Sequence, residues 1–139
     1  MGVKTVCFSW VAAGVLGCGG AAVAGPVDDL RVDFAKAVYS GSPEHVHQRN
    51  PQPLLRAVVV LNVKLDAGDH WQVEVVRTND EQPELLARAI ETVARAPVVP
   101  MPDEVRDHMR RNGFMEAWLF DNDGRFQVKT LAKAQLTGR

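Results

Sequence analysis

A chain of 139 residues, 46% hydrophobic and 24% charged, has the size and composition of one globular domain with a single core. Its 16 basic and 17 acidic residues nearly cancel and are interspersed, so the chain lacks the strong basic field that binding to nucleic acid or an anionic membrane requires. Both cysteines, Cys7 and Cys18, fall in the N-terminal segment, which leaves the rest of the chain without a disulfide, a thiol nucleophile or a cysteine metal ligand.

Residues 1–24 are of a different kind: Lys4 supplies a positive start, and Thr5 to Ala24 carries no charge. This pattern predicts an export signal. Ala22-Val23-Ala24 before Gly25 fits ordinary cleavage, while Val15-Leu16-Gly17-Cys18 resembles a bacterial lipobox with its leucine one place late, making Cys18 an alternative site of lipid attachment. An uncleaved anchor is disfavoured because Gly14, Gly17, Gly19 and Gly20 each weaken a helix by about 1 kcal/mol relative to alanine. The expected location is the periplasm, with an outer-membrane lipoprotein as the alternative; contact with a membrane is expected only through such a lipid.

Residues 25–53 are expected to hold a short helix and a proline-containing linker. Asp28 and Asp29 are placed to cap a helix whose apolar positions Leu30, Phe34 and Val38 recur every fourth residue, and Gly41 followed by Pro43 ends it. Ser42 to Pro53 has three prolines and no period, the mark of a loop.

Residues 54–131 carry the main domain, and 132–139 a tail. From Arg56 to Leu65 the chain is β-branched and alternating, with Val59, Leu61, Val63 and Leu65 on one face and Asn62 and Lys64 on the other. Asp66-Ala67-Gly68-Asp69 supplies a turn, and Trp71, Val73 and Val75 alternate with Gln72 and Glu74 in a second strand, completing a hairpin. Pro83 suits the first turn of a helix with Leu85, Leu86, Ala89, Ile90 and Val93 in one stripe and Arg88, Glu91, Thr92 and Arg95 outward. Pro97, Pro100 and Pro102 then force an extended return, and a short charged helix fits Asp103 to Arg111. Phe114 to Phe120 reads as a third strand and Arg125 to Leu131 as a fourth, joined by the hairpin signal Asp121-Asn122-Asp123-Gly124.

A hairpin, a helix ending in a proline-rich return, and a further strand together resemble the C-terminal domain of TonB and TolA, periplasmic proteins that couple inner-membrane energy to the outer membrane. The likeness covers Leu54 to about Phe120, carried by Val58 to Val63, the turn Asp66-Ala67-Gly68, Val73-Glu74-Val75-Val76, and Leu85 to Ala96 leading into Pro97, Pro100 and Pro102. It implies an α+β fold with a small antiparallel sheet, in strand order second, first, third, fourth. One main helix packs on one face, and the short N-terminal helix read within residues 25–53 is set apart from this domain by the linker. It also implies a non-enzymatic module that binds an envelope protein by adding its peptide as a strand to a sheet edge. Two features differ from the family: there is no long proline-rich spacer, and Asn50-Pro51-Gln52-Pro53 stands where a Tyr-Pro pair often opens the domain. A fourth strand over Arg125 to Leu131 is expected to fill the docking edge of the third, leaving the second and fourth strands as the free edges.

The remaining candidates have plainer explanations. His45 and His47 read as solvated loop residues rather than half a metal site, and Asp121-Asn122-Asp123-Gly124 as a turn rather than a calcium loop, since Arg125, Phe126 and Lys129 follow where oxygen ligands would be needed. Ser40 and Ser42 have no nucleophile elbow around them, and Asp103 and Glu104 belong at a helix start. Arg106, Arg110 and Arg111, with Arg88 and Arg95, are placed to form a basic surface for an acidic partner or lipid headgroups, or more simply a wet face. Trp71 and Trp118 are expected in the core or half-buried, and an exposed one would be an interface anchor. No cofactor, metal or catalytic residue is expected. The alternative is a small periplasmic ligand-binding protein or enzyme using a groove between Glu44 to Gln48 and the sheet. The assembly is expected to be a monomer or an edge-paired dimer.

Overall fold

The computed structural model describes residues 25–49 and 54–132; the export segment with Cys18, residues 50–53 of the loop and residues 133–139 of the tail lie outside these. Helix α1 covers residues 25–41. Its buried positions Val27, Leu30, Phe34, Ala37 and Val38 recur at three- and four-residue spacings, so one stripe faces inward. The helix is longer than the sequence pattern predicts. Asp28 and Asp29 lie exposed within it rather than capping it, because Val27 already belongs to the buried stripe. At its end Gly41 meets the main chain of Arg95 so closely that a Cβ would stand 2.9 Å from that carbonyl oxygen. Pro43–His45 then forms a single 3-10 turn.

Strand β1 (Ala57–Leu65) alternates buried and half-buried residues along its whole length, with Val59, Leu61, Val63 and Leu65 on the core face. It pairs antiparallel with β2 (Trp71–Arg77), and Val76 is the extra residue of a bulge in that pairing. In the turn between them, Asp66 Oδ1 accepts from the main-chain N–H of His70 and of Gly68, both at 2.9 Å. These bonds, the one from His70 first, hold its carboxyl below the usual range.

Helix α2 (Pro83–Arg95) starts on proline and buries Leu85, Ala89, Thr92 and Val93. The stripe is rotated from the expected one: Leu86 is half-buried, Ile90 is 37% exposed, and Thr92, expected to face outward, is wholly buried. The cause is Trp118. Its indole Nε1–H donates to Thr92 Oγ1 at 2.9 Å, and that hydroxyl donates in turn to Ala89 O at 2.7 Å, so a polar side chain is required at this point of the core. Helix α3 (Asp103–Arg111) inserts Val105 and Met109. Gly113, at φ 68°, then turns the chain where any Cβ would collide with Val63 O at 2.2 Å.

Strand β3 (Phe114–Phe120) returns antiparallel along β1, and β4 (Phe126–Val128) pairs with its far half, giving the order β2-β1-β3-β4. The order is the expected one, but the fourth strand is shorter than Arg125 to Leu131: it stops at Val128, and residues 129–132 are helical. Phe34 of α1 meets Trp71, Phe114 and Trp118 edge-on, with ring centroids at 5.0, 5.5 and 6.4 Å. Helices α1, α2 and α3 therefore cover one face of the sheet in one core, and α1 is part of it rather than a short helix set apart by a linker. Among the described residues no helix is long and apolar enough to cross a membrane.

Thr92→Val keeps the shape of the side chain but leaves the Trp118 N–H unpaired in the core. The substitution is expected to destabilise by about 1–3 kcal/mol, read as a lower urea midpoint at unchanged slope. An unchanged midpoint would show that the bond is dispensable.

Candidate functional site

Sheet edges are where this fold leaves main-chain groups exposed. At the β4 margin, expected to be free, the loop after the 3-10 turn lies alongside: Val46 bridges Phe126 in parallel and His47 N–H donates to Phe126 O at 2.8 Å. Gln127 Nε2 also donates to His47 O at 3.2 Å and to Arg49 O, so its side chain ties the loop down. The fourth strand is thus covered, not free. The loop from Glu44 to Gln48 reaches the sheet through this strand margin.

Among the described residues, the stretch left without a neighbouring strand is the first half of β3. Asp121 N–H donates to Arg125 O just beyond the Phe120–Phe126 pair, which sets the parity: the main-chain groups of odd-numbered β3 residues point toward β4. Beta4 reaches only Trp118 to Phe120, so Met115 and Ala117 point outward with no strand beside them. Met115 is 56% exposed, and the Ala117 N–H is taken by its neighbour's side chain, Glu116 Oε1, at 3.0 Å.

Glu116 decides the shape of this edge. It stands opposite Leu61 on the core face of the sheet, and its side chain is buried. The carboxylate reaches the strand margin, where the Thr130 hydroxyl also donates to it. It sits where the β3–β4 ladder would continue, which accounts for the early end of β4. Burial pushes its carboxyl above the usual range, an effect partly offset by the Thr130 and Ala117 bonds and by Arg31. On the far side of Val128, the Tyr39 hydroxyl accepts the Val128 N–H at 3.0 Å, and burial raises the phenol above its ordinary value.

A cleft of about 450 Å³ runs along the margin, lined by Arg31, Val60, Met115, Glu116, Ala117, Lys129 and Thr130. Arg31 comes from α1, with its guanidinium carbon 5.1 Å from the Phe114 ring centre and its buried Nε without a hydrogen-bond partner. An apolar strand edge flanked by cations, a hydroxyl and one protonatable carboxyl is suited to hold an extended chain.

The residues singled out from the sequence lie elsewhere. Trp118 is wholly buried and cannot anchor an interface. Trp71 is half-buried against Phe34, and its Nε1–H donates to Pro97 O at 3.3 Å, pinning the proline-rich return. Arg106 and Arg110 both bind Asp69, at 3.0 and 2.5 Å, so they fasten α3 to the β1–β2 turn rather than present an open basic surface. Ser40 Oγ donates to Ala37 O, and Asp103 and Glu104 occupy the first turn of α3 as expected. Compared with known proteins, no family model matches the chain, and no curated protein or solved structure matches it either.

Because the folded-state pKa of Glu116 lies above its unfolded value of about 4.3, this group's contribution to stability is complete below that value and is lost as pH rises through the folded one. Glu116→Gln removes the dependence. The thermal midpoint of the variant relative to the parent should rise between about pH 4 and pH 7, and a difference constant across that range would contradict the assignment.

Proposed function

We propose that this chain is a non-enzymatic, exported interaction module that binds an extended segment of an envelope protein as an added strand on β3, in the manner of the TonB and TolA C-terminal domains. The observation that carries the reading is the half-covered third strand: Met115 and Ala117 offer outward main-chain groups beside a cleft, with β4 stopping short of them. In this reading Glu116 is a placeholder. Its carboxylate holds the Ala117 N–H until a carbonyl of the incoming strand replaces it, and the displaced acid turns toward Arg31 or takes a proton.

The second margin is less suited. Beta2 exposes Val75 and Val76, at 48% and 53%, but the bulge at Val76 twists that edge, and Gln72, Glu74 and Arg77 interrupt it with polar groups. Bulges and charges are the usual means of keeping an edge from pairing. An edge-paired dimer through β2 is therefore disfavoured. The rival class, a small ligand-binding protein or enzyme, draws on the same cleft through Glu116, Arg31 and Thr130 side chains rather than through the strand.

Met115→Pro separates these readings. Met115 points its N–H away from β1, so proline removes only an outward donor and places a ring in the path of an added strand. The variant should keep its far-ultraviolet circular dichroism and lose binding to extended peptides selected on the parent chain, by tenfold or more. Undiminished peptide binding by a folded variant would rule out the edge. Selection of small molecules but no peptide by the parent would favour the ligand-binding class.

A further inference from the structure

Two stretches that read as unrelated and ordinary in the sequence, the His47 loop and the Asp121-Asn122-Asp123-Gly124 turn, come together in the fold. His47, Asp121 and Asp123 each place one ligand-type atom such that all three lie within 4.8 Å of one another. His47 is not a solvated residue: its side chain is 13% exposed and its Nδ1 stands 2.6 Å from Asp121 Oδ2. Asp121 is 2% exposed, yet neither of its carboxylate oxygens receives a hydrogen bond. The close approach of His47 therefore lacks the alignment of a hydrogen bond. The His47 imidazole beside it offsets that buried carboxylate only by carrying a proton itself or by sharing a cation with it.

We infer that His47, Asp121 and Asp123 form a binding site for a first-row divalent transition metal of the zinc type. One imidazole nitrogen and two carboxylates suit zinc, which takes nitrogen and oxygen ligands at about 2.0–2.2 Å in tetrahedral sites, the fourth position being left to water. Calcium fits poorly, since it requires six to eight oxygens. The charges agree: a neutral imidazole and two carboxylates balance the ion, and the outward Arg125 Nε stands 4.0 Å from Asp123 Oδ2, on the solvent side. Asp123 keeps its structural duty while ligating, because Oδ1 accepts the Arg125 N–H at 2.9 Å and Oδ2 remains to bind. Binding draws His47 Nδ1 and Asp121 Oδ2 apart to roughly 3.3 Å, the spacing that tetrahedral bonds of about 2.0–2.1 Å impose.

The bound ion would join the loop that covers β4 to the hairpin turn between β3 and β4, beside the contacts His47 N–H and Gln127 already make. It would thereby lock the covered margin of the sheet while leaving the Met115–Ala117 stretch accessible. This role is independent of what the chain binds.

The test uses the full chain stripped with chelator, titrated with zinc by calorimetry and followed by thermal melting, with calcium and magnesium as comparisons. The parent should take up one zinc saturably and melt at a higher temperature with it, while equal concentrations of calcium or magnesium leave the midpoint unchanged. Asp123→Asn retains the turn hydrogen bond through its amide oxygen and lies on the exposed side, so it should fold normally and bind zinc at least about tenfold more weakly. His47→Gln should do the same. Absence of saturable zinc uptake by the parent would overturn the inference, as would uptake that both variants leave unchanged, which would place the ion on other histidines.

Discussion

Main-chain groups at the margins of a sheet must be paired, capped or wetted, and the way this fold meets that requirement determines most of what is distinctive about it. The outer edge of β4 is paired by Val46 and His47. The edge of β2 is bent by the bulge at Val76. Among the described residues, the outer margin of the near half of β3 is neither paired with a strand nor bent: the Glu116 carboxylate holds the Ala117 N–H. A carboxyl group pointing inward at a strand margin also discourages uncontrolled pairing.

That arrangement depends on a core built on a single face. Trp118 stands at its centre, meeting Phe34 of α1 edge-on and donating to Thr92 of α2, so sheet and helices are positioned relative to one another by one side chain. Full burial of a side chain of this kind contributes on the order of 1.5–3 kcal/mol, and the indole bond adds orientation that apolar contact alone does not give. With α1 held by Phe34, Tyr39 reaches Val128 and Arg31 reaches the β3 margin. The helix that sequence periodicity made short and peripheral is thus the element that caps the outer side of β4 at Val128 and lines the cleft beside β3.

Period-two alternation and turn chemistry made the strands and the two hairpins legible, because alternation marks a strand with one buried face and each turn needs Gly, Asn or Asp; the strand order came from the resemblance to the TonB and TolA domains, and β4, buried at all three of its positions, was read too long. The proline-rich return and the last helix were legible for similar reasons. What escaped was set by contacts distant in sequence. Thr92 looks outward-facing until Trp118 demands an acceptor. The pairing of Val46 with Phe126 has no local signal at all. Glu116 had one: in Phe114, Glu116, Trp118 and Phe120, a carboxylate interrupts an otherwise apolar face, and the pattern of residues alone marks that position as unusual. The nearness of His47 to Asp121 and Asp123 follows only from the loop docking on β4, so two weak patterns could be weighed only separately. The tryptophans and arginines named as interface candidates were recognised by type, and their partners inside the fold, Thr92, Phe34, Pro97 and Asp69, are what remove them from that role.

The central claim is that the first half of β3 is an open edge in the folded chain, and amide hydrogen exchange followed by NMR tests it most directly. The Met115 N–H should exchange close to the rate of an unprotected amide, while the Leu119 N–H, facing β4, and the Trp118 N–H, facing β1, exchange only with global unfolding. Equal protection of Met115 and Leu119 would mean that the edge is already covered, and would contradict the account.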